Sequence, residues 1–280
     1  METGNNTTFL LSDKELEAQG TSSCHLSLLV DSDHLQWALT SVAESKVLEV
    51  GQTSSHPDEL KTFLNDWALP SADLSSISLA HRGTAHTLVP NGLFDAAKAD
   101  AILSLTAGRS DHPAHHTQLA TPGAVLVYRR FEEREALLRN AFPSLQSHSN
   151  TALNIGEVMK RNRFDRPVQI YADLSASFLD VIVAGHKQLL LSNTFAIESD
   201  QDALFMLANA METLTLQPDD TTLYLSGEVE LSGERFKLFQ SYFPKLQMNF
   251  GFEMPKVGLG LAYLRKQTFM SLLNQYRCVS

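Results

Sequence analysis

Four side chains able to ligate a metal lie within six residues: Asp111, His112, His115 and His116. Neutral imidazoles with a carboxylate bind zinc or another transition metal, and His112 and His116 would share a face if the segment were helical. Pro113 stands between them and the stretch from Thr106 to Ala120 is polar, so a solvated loop is the simpler reading. His81 and His86 add two imidazoles upstream. Asp31 and Asp173 offer a different chemistry, since each ends a strand-like run, LSLLVD and QIYAD, where the chain must turn. A carboxylate there most simply accepts hydrogen bonds from the backbone of its own turn.

Other chemistries lack their residues. The chain has no GxxxxGK[ST] phosphate loop and no Gly-x-Ser-x-Gly elbow. Glu132 and Glu133, like Asp219 and Asp220, are sequence neighbours, which points their carboxylates apart rather than into an acid/base pair. Cys24 and Cys278 have no CxxC spacing and are expected as free thiols. The net charge of -10 is spread along the chain, which disfavours a nucleic-acid partner. No apolar run reaches the roughly 18 to 20 residues of a bilayer span, and Met1 to Gln19 lacks the basic start and apolar core of a signal segment. No membrane insertion and a cytoplasmic location are therefore expected.

The elements that must position these residues alternate between sheet and helix. With 43% hydrophobic and 19% charged residues over 280 positions, the chain suits two globular α/β domains. After an arm or edge strand in Met1 to Ser23, three short apolar runs (26–31, 35–42 and 46–52) read as an antiparallel meander. Pro57 suits the first position of a helix whose Leu60, Phe63, Leu64 and Trp67 share one face. A strand at 76–80, a short strand within 81–91, a helix at 94–105, the polar loop 106–120, a strand at 124–129 and a helix at 130–141 follow. Then come a short strand at 145–148 and a helix at 151–161. The basic RNRFDRP around Arg161 to Pro167 marks the boundary, giving domains 1–165, with an insertion around 81–120, and 166–280.

The second part opens with another meander, 169–173, 178–183 and 188–192. Ser199 and Asp202 have capping-box spacing before a helix carrying Leu204, Leu207, Met211 and Leu214. A strand at 222–226, a helix from about Gly233 with Phe236, Phe239 and Phe243 as a core stripe, a strand at 246–250 and a closing helix at 259–276 complete the chain. Laying Leu28 to Glu49 over Ile170 to Leu191 sets Asp31 against Asp173, with the same order of elements after each.

A duplicated meander, helix, strand and helix with an aspartate at the first turn resembles the actin-like ATPase fold, which is made of two ribonuclease H-like domains. The superfamily's second phosphate loop, D-L-G-G-G-T-F-D-V, is similar to Asp173 to Val181, D-L-S-A-S-F-L-D-V. Asp173, Leu174, Asp180 and Val181 match; Ser175, Ala176 and Ser177 replace glycines. The first loop, D-x-G in the family, is set against Asp31, Ser32 and Asp33, and the Gly-Gly of the adenosine loop against Ser226 and Gly227. With the HPAHH loop and the SGE at residue 226, the chain also resembles an uncharacterised bacterial family, mostly from Bacteroidetes, with this fold.

The resemblance implies mixed sheets flanked by helices, and nucleotide-binding positions at Asp31, Ser32, Asp173, Ser175, Ser177, Ser226 and Gly227. Asp31 and Asp173 would hold magnesium through water, and Asp180 would be structural. Glycines let phosphate-binding backbone N–H groups approach the anion, so their loss and the acid at Asp33 weigh against tight ATP binding. No bound cofactor is favoured over ATP with magnesium. The expectation is a non-catalytic or weakly nucleotide-binding scaffold with an unidentified protein partner. A magnesium-dependent ATPase or phosphotransferase, and a metal-binding regulatory module using the histidine loop, are the alternatives.

Overall fold

The computed structural model describes residues 7–19, 21–67, 74–249 and 255–279. The chain divides into two compact units, Met1–Arg82 with Arg130–Asn150 and Glu253–Ser280, and Gly83–Arg129 with Thr151–Phe252. In this division the 83–129 segment groups with the second meander.

The first unit is built on β1 (Thr7–Ser12), α1 (Lys14–Gln19), β2 (Cys24–Val30), β3 (His34–Ser41), β4 (Lys46–Ser54), α2 (Pro57–Asp66) and β5 (Ser76–His81). The second unit's insertion follows as β6 (His86–Pro90), α3 (Ala99–Ala107), β7 (His115–Leu119) and β8 (Ala124–Tyr128). The chain then returns with α4 (Glu132–Ala141) and β9 (Gln146–Ser149). The first sheet runs β1-β4-β3-β2-β5-β9, antiparallel through the meander and parallel at β2-β5 and β5-β9. Alternation in β2 sends Cys24, Leu26, Leu28 and Val30 to one face, where Leu60 and Phe63 of α2 and Leu138 of α4 cover them. Trp37 lies over Gly51, its partner across the strand pair; a Cβ there would sit 2.1 Å from the indole.

In the second unit, α5 (Asn150–Arg161), β10 (Gln169–Leu174), β11 (Phe178–Gly185), β12 (Gln188–Ala196), α6 (Asp200–Thr213), β13 (Thr222–Gly227), α7 (Glu234–Tyr242) and β14 (Leu246–Met248) follow in order. Its sheet runs β12-β11-β10-β13-β14. Counted from β2 in the first unit and from β10 in the second, both sheets read third, second, first, fourth, fifth, with β1 added outside the third strand of the first sheet, so the duplicated order expected of two ribonuclease H-like domains is present. Helices α6 and α7 bury Leu207, Met211, Phe236, Phe239 and Phe243 on one face, so the aromatic stripe is core. On the other face α5 packs Ile155, Val158 and Met159 with Tyr171, Ile182 and residues of β8.

Three expectations are corrected. The polar 106–120 loop contains β7, because its residues alternate and pair antiparallel with β8 in a sheet ordered β6-β8-β7. The helix expected over 94–105 is one 3-10 turn (Ala96–Lys98) followed by α3, which begins only at Ala99. The closing helix expected over 259–276 is a 3-10 turn at Leu259–Leu261, turns, and α8 (Met270–Val279), after a short strand β15 (Lys256–Val257) beside β4. Asp13 explains the break: it accepts from the Gly260 N–H at 2.9 Å, and the chain presses so close that a Cβ on Gly258 would meet Asp13 at 2.1 Å. The arm's edge strand is β1; residues 1–6, Phe250 at the end of the expected 246–250 strand, and the Cys278 side chain lie outside the described residues. Cys24 is buried.

Candidate functional site

The first turn joins β2 to β3 and is closed on itself. Asp31 is buried, and its Oδ1 accepts from the backbone N–H of Asp33 at 2.9 Å and of His34 at 2.7 Å. Its Oδ2 faces the buried Arg82 guanidinium at 3.8 Å. Ser55 Oγ donates to the Asp31 carbonyl at 3.0 Å, and Arg134 donates to the carbonyls of Ser55 and Ser32 at 2.9 and 3.0 Å. Ser32 Oγ donates to Asp33 Oδ2. The turn is thus wired to β4, α4 and the residue after β5.

Next to Arg134 on α4, Glu135 anchors a buried hydrogen-bonded cluster. The Phe131 N–H donates to His81 Nδ1 at 3.2 Å, which leaves the ring proton on Nε2, facing Glu135 Oε2 at 3.0 Å. Arg139 Nε and Ser147 Oγ donate to Glu135 Oε1 at 2.8 and 2.6 Å. Burial pushes the Glu135 carboxyl up, but His81, Ser147 and Arg139 overcome it and hold the group far below the usual carboxylate range. Burial also holds His81 below its ordinary value, against the pull of Glu135.

The second turn joins β10 to β11. The Ser175 N–H donates to the Phe178 carbonyl at 2.9 Å, and Ser175 is buried. Asp173 lies within β10, opposite Asp180 on β11 and beside Ser226 on the parallel strand β13. Asp180 in turn is opposite Thr194 of β12, whose Oγ1 donates to Asp180 Oδ1 at 2.5 Å and lies 3.4 Å from His86 Nδ1. His86 Nε2 contacts Ser192 Oγ at 3.0 Å, and burial keeps its imidazole below its ordinary value. Ser226, Asp173, Asp180 and Thr194 form one polar row across four strands. Ser226 Oγ donates to the Ala172 carbonyl, and Gly227, at φ +90°, presses on β10 so closely that a Cβ would sit 2.0 Å from the Leu174 carbonyl.

Hydrogen-bond register shifts the equivalence of the two turns. In the first, Val30 pairs with Leu35 and with His81, and the Asp31 N–H bonds the His34 carbonyl. In the second, Leu174 pairs with Leu179 and with Gly227, and the Ser175 N–H bonds the Phe178 carbonyl. Asp31 therefore corresponds to Ser175, and the counterpart of Asp173 is Leu29, a buried residue of β2. The overlay of Asp31 on Asp173 was displaced by two residues. A two-residue slip preserves which face a side chain takes, so hydrophobic alternation cannot reveal it.

The histidine set does not assemble as a ligand cluster. His115 and His116 are consecutive in β7 and point to opposite faces: the His115 ring packs on Tyr128 and the His116 ring on Phe94. Asp111 and His112 precede the strand, and the His112 carbonyl accepts from Arg129. Among the described residues no group of three or more His, Cys, Asp or Glu is placed to hold a metal. His81 and His86 serve the separate buried networks described above. Arg82, Arg134 and the Thr194–His86 contact were missed in the sequence. Only the β2-β5 pairing tells that the residue after β5 meets the end of β2.

These two sheets and their turns define a protein of the actin-like ATPase fold. Solved structures agree on the fold. A Bacteroides thetaiotaomicron VPI-5482 protein with actin-like ATPase fold and unknown function superposes with a TM-score of 0.70 at 14% identity, covering 81% of this chain and 90% of that one. The PilM-PilN type IV pilus biogenesis complex matches with a TM-score of 0.61 at 12% identity over 91% of this chain and 98% of that one. The chain belongs to the DUF3822 family of proteins of unknown function, which matches residues 13–246. No curated protein matches it.

Proposed function

We propose that this chain is a protein-interaction component of the actin-like superfamily that does not turn over nucleotide. The observation that carries the reading is the first turn, where the Asp31 carboxylate occupies the N–H groups of Asp33 and His34 and Leu29 stands in the place that Asp173 holds in the second. A phosphate cradle needs such N–H groups aimed at the anion, and magnesium needs oxygen ligands. Leucine supplies none. The acid at Asp33 adds repulsion toward a polyphosphate. Asp31, Ser32, Asp173, Ser175, Ser177, Ser226 and Gly227 are on this reading remnants of nucleotide loops.

The PilM-PilN complex has this fold in an assembly with another protein, which supports a partner-binding role here. No helix among the described residues is long and apolar enough to cross a membrane. The test is thermal melting with and without millimolar ATP and magnesium, alongside a phosphate-release assay. A ligand at 100 times its dissociation constant would add about 2.7 kcal/mol. No shift and no released phosphate are expected; a stabilisation of that size, or steady hydrolysis, refutes the proposal. Zinc, nickel and copper content after purification without chelator is expected to be far below one ion per chain.

A further inference from the structure

The outer side of α6 and α7 carries an apolar groove of about 610 Å³. Leu204, Phe205 and Ala208 of α6 form one wall, Leu238 and Tyr242 of α7 the other, and Leu216 the end. All belong to the second unit. Phe205 is 66% exposed and Tyr242 60% exposed, so two aromatic rings flank the opening with most of their surface in water. Inner residues of the same helices, Leu207, Met211, Phe236 and Phe239, already fill the core, so Phe205 and Tyr242 are not needed to close the fold. Exposed aromatics at the mouth of an apolar groove are the residue type that anchors partners.

Charge selects the partner. Between Glu198 and Asp220 the chain carries six carboxylates and no lysine or arginine. Glu212 is the charged side chain that lines the groove, and Asp219 and Asp220 follow Pro218 at its end. On α7, Arg235 is paired with Asp200 at 2.8 Å, and neither it nor the exposed Lys237 lines the groove. An anionic membrane is disfavoured by this field, and so is a second copy of a chain with net charge -10.

We infer that the α6–α7 groove docks a cationic amphipathic helix of a partner protein, its apolar face between Phe205 and Tyr242 and its lysines or arginines toward Glu212, Asp219 and Asp220. The wall from Gln201 to Glu212 is about 16 Å long at the rise of an α-helix, enough for three turns of the occupant. Anchors at i, i+3, i+4 and i+7 then fall into the groove on one face. The inference rests on the partner-binding reading above and gives that partner a chemistry.

The test uses the full chain and fluorescence anisotropy with two labelled helical peptides sharing one leucine face, with lysine on the other face in one and glutamate in the second. The lysine peptide is expected to bind and the glutamate peptide not to. Phe205→Glu and Tyr242→Ser, both at exposed positions, are each expected to weaken binding roughly tenfold or more, with melting temperature unchanged. Glu212→Lys is expected to weaken it too, while Glu133→Lys on α4, the same change of charge in the other unit, leaves it unaltered. Equal loss in the two charge variants, or binding indifferent to Phe205→Glu, overturns the site. A concentration-dependent dimer in sedimentation that Phe205→Glu abolishes overturns the choice of occupant in favour of a second copy. Stabilisation by ATP and magnesium would instead strike the partner-binding reading, whatever the peptide result.

Discussion

Acid should unfold the first unit through His25. This histidine is buried between β2 and β5, its Nδ1 2.7 Å from Ser76 Oγ and its Nε2 2.8 Å from Ser78 Oγ. Ser78 Oγ also accepts from Gln275 of α8 at 2.9 Å, which ties the imidazole's partner to a third element. The Tyr276 ring covers the imidazole at 5.4 Å. Burial, with a smaller contribution from His148, lowers its pKa from 6.5 to about 4.

A folded-state pKa below the unfolded one means that the unfolded chain binds the proton first, so stability is lost as pH falls through the unfolded value toward the folded one. From about pH 7 to about pH 5 the unfolded histidine gains most of a proton while the folded one stays neutral. At about 1.36 kcal/mol per unit over roughly 1.5 units, His25 alone removes about 2 kcal/mol. Both tryptophans of the chain, Trp37 and Trp67, sit in this unit's core beside Phe63, so their fluorescence during urea unfolding reports on it. Wild type should lose about 2 kcal/mol more between the two pH values than His25→Gln, whose amide cannot titrate. Equal losses in the two proteins would refute the reasoning.

Three further outcomes follow from close contacts. Glu135→Ala leaves His81 and Ser147 without their buried acceptor and should cost roughly 1–3 kcal/mol in chemical denaturation; a cost below about 0.5 kcal/mol would show that the cluster contributes little. Gly51→Ala drives a Cβ into the Trp37 ring and should cost about 1–3 kcal/mol with a shifted tryptophan emission. Gly227→Ala needs a Cβ 2.0 Å from the Leu174 carbonyl at a backbone φ of +90°, so roughly 2 kcal/mol or more should be lost, together with hydrogen-exchange protection at the end of β10; an intact, equally stable protein would remove the packing argument for this glycine.

Much of the site's setting was legible because it is local. Pro57 opens α2 where its fixed φ suits the first turn, and Ser199 caps α6 by accepting from the Asp202 N–H at 3.1 Å. Both meanders followed from short apolar runs with polar turns. The histidine loop misled because proline and polar residues outweighed the alternation of HHTQL, which becomes a strand only beside β8. Its edge position gives that strand a partner on one side only, so hydrophobic patterning is weak there.

Type and spacing alone determined the duplicated order of elements, the helix starts at Pro57 and after Ser199, and the serines and alanine that stand where the resembled loop has glycines. They could not determine register. Whether Asp31 or Leu29 answers to Asp173 depends on which backbone N–H meets which carbonyl across strands far apart in sequence, and a slip of two residues leaves every hydrophobic face intact. Nor could they place the Arg82 guanidinium on Asp31, gather His81, Arg139 and Ser147 on Glu135, or set Phe205 opposite Tyr242. Those juxtapositions arise only when parallel strands and packed helices bring separate segments together, and they carry the functional reading: the Asp31 carboxylate satisfies the N–H groups of its own turn, and an apolar groove beside acidic residues lies open on the helices of the second unit.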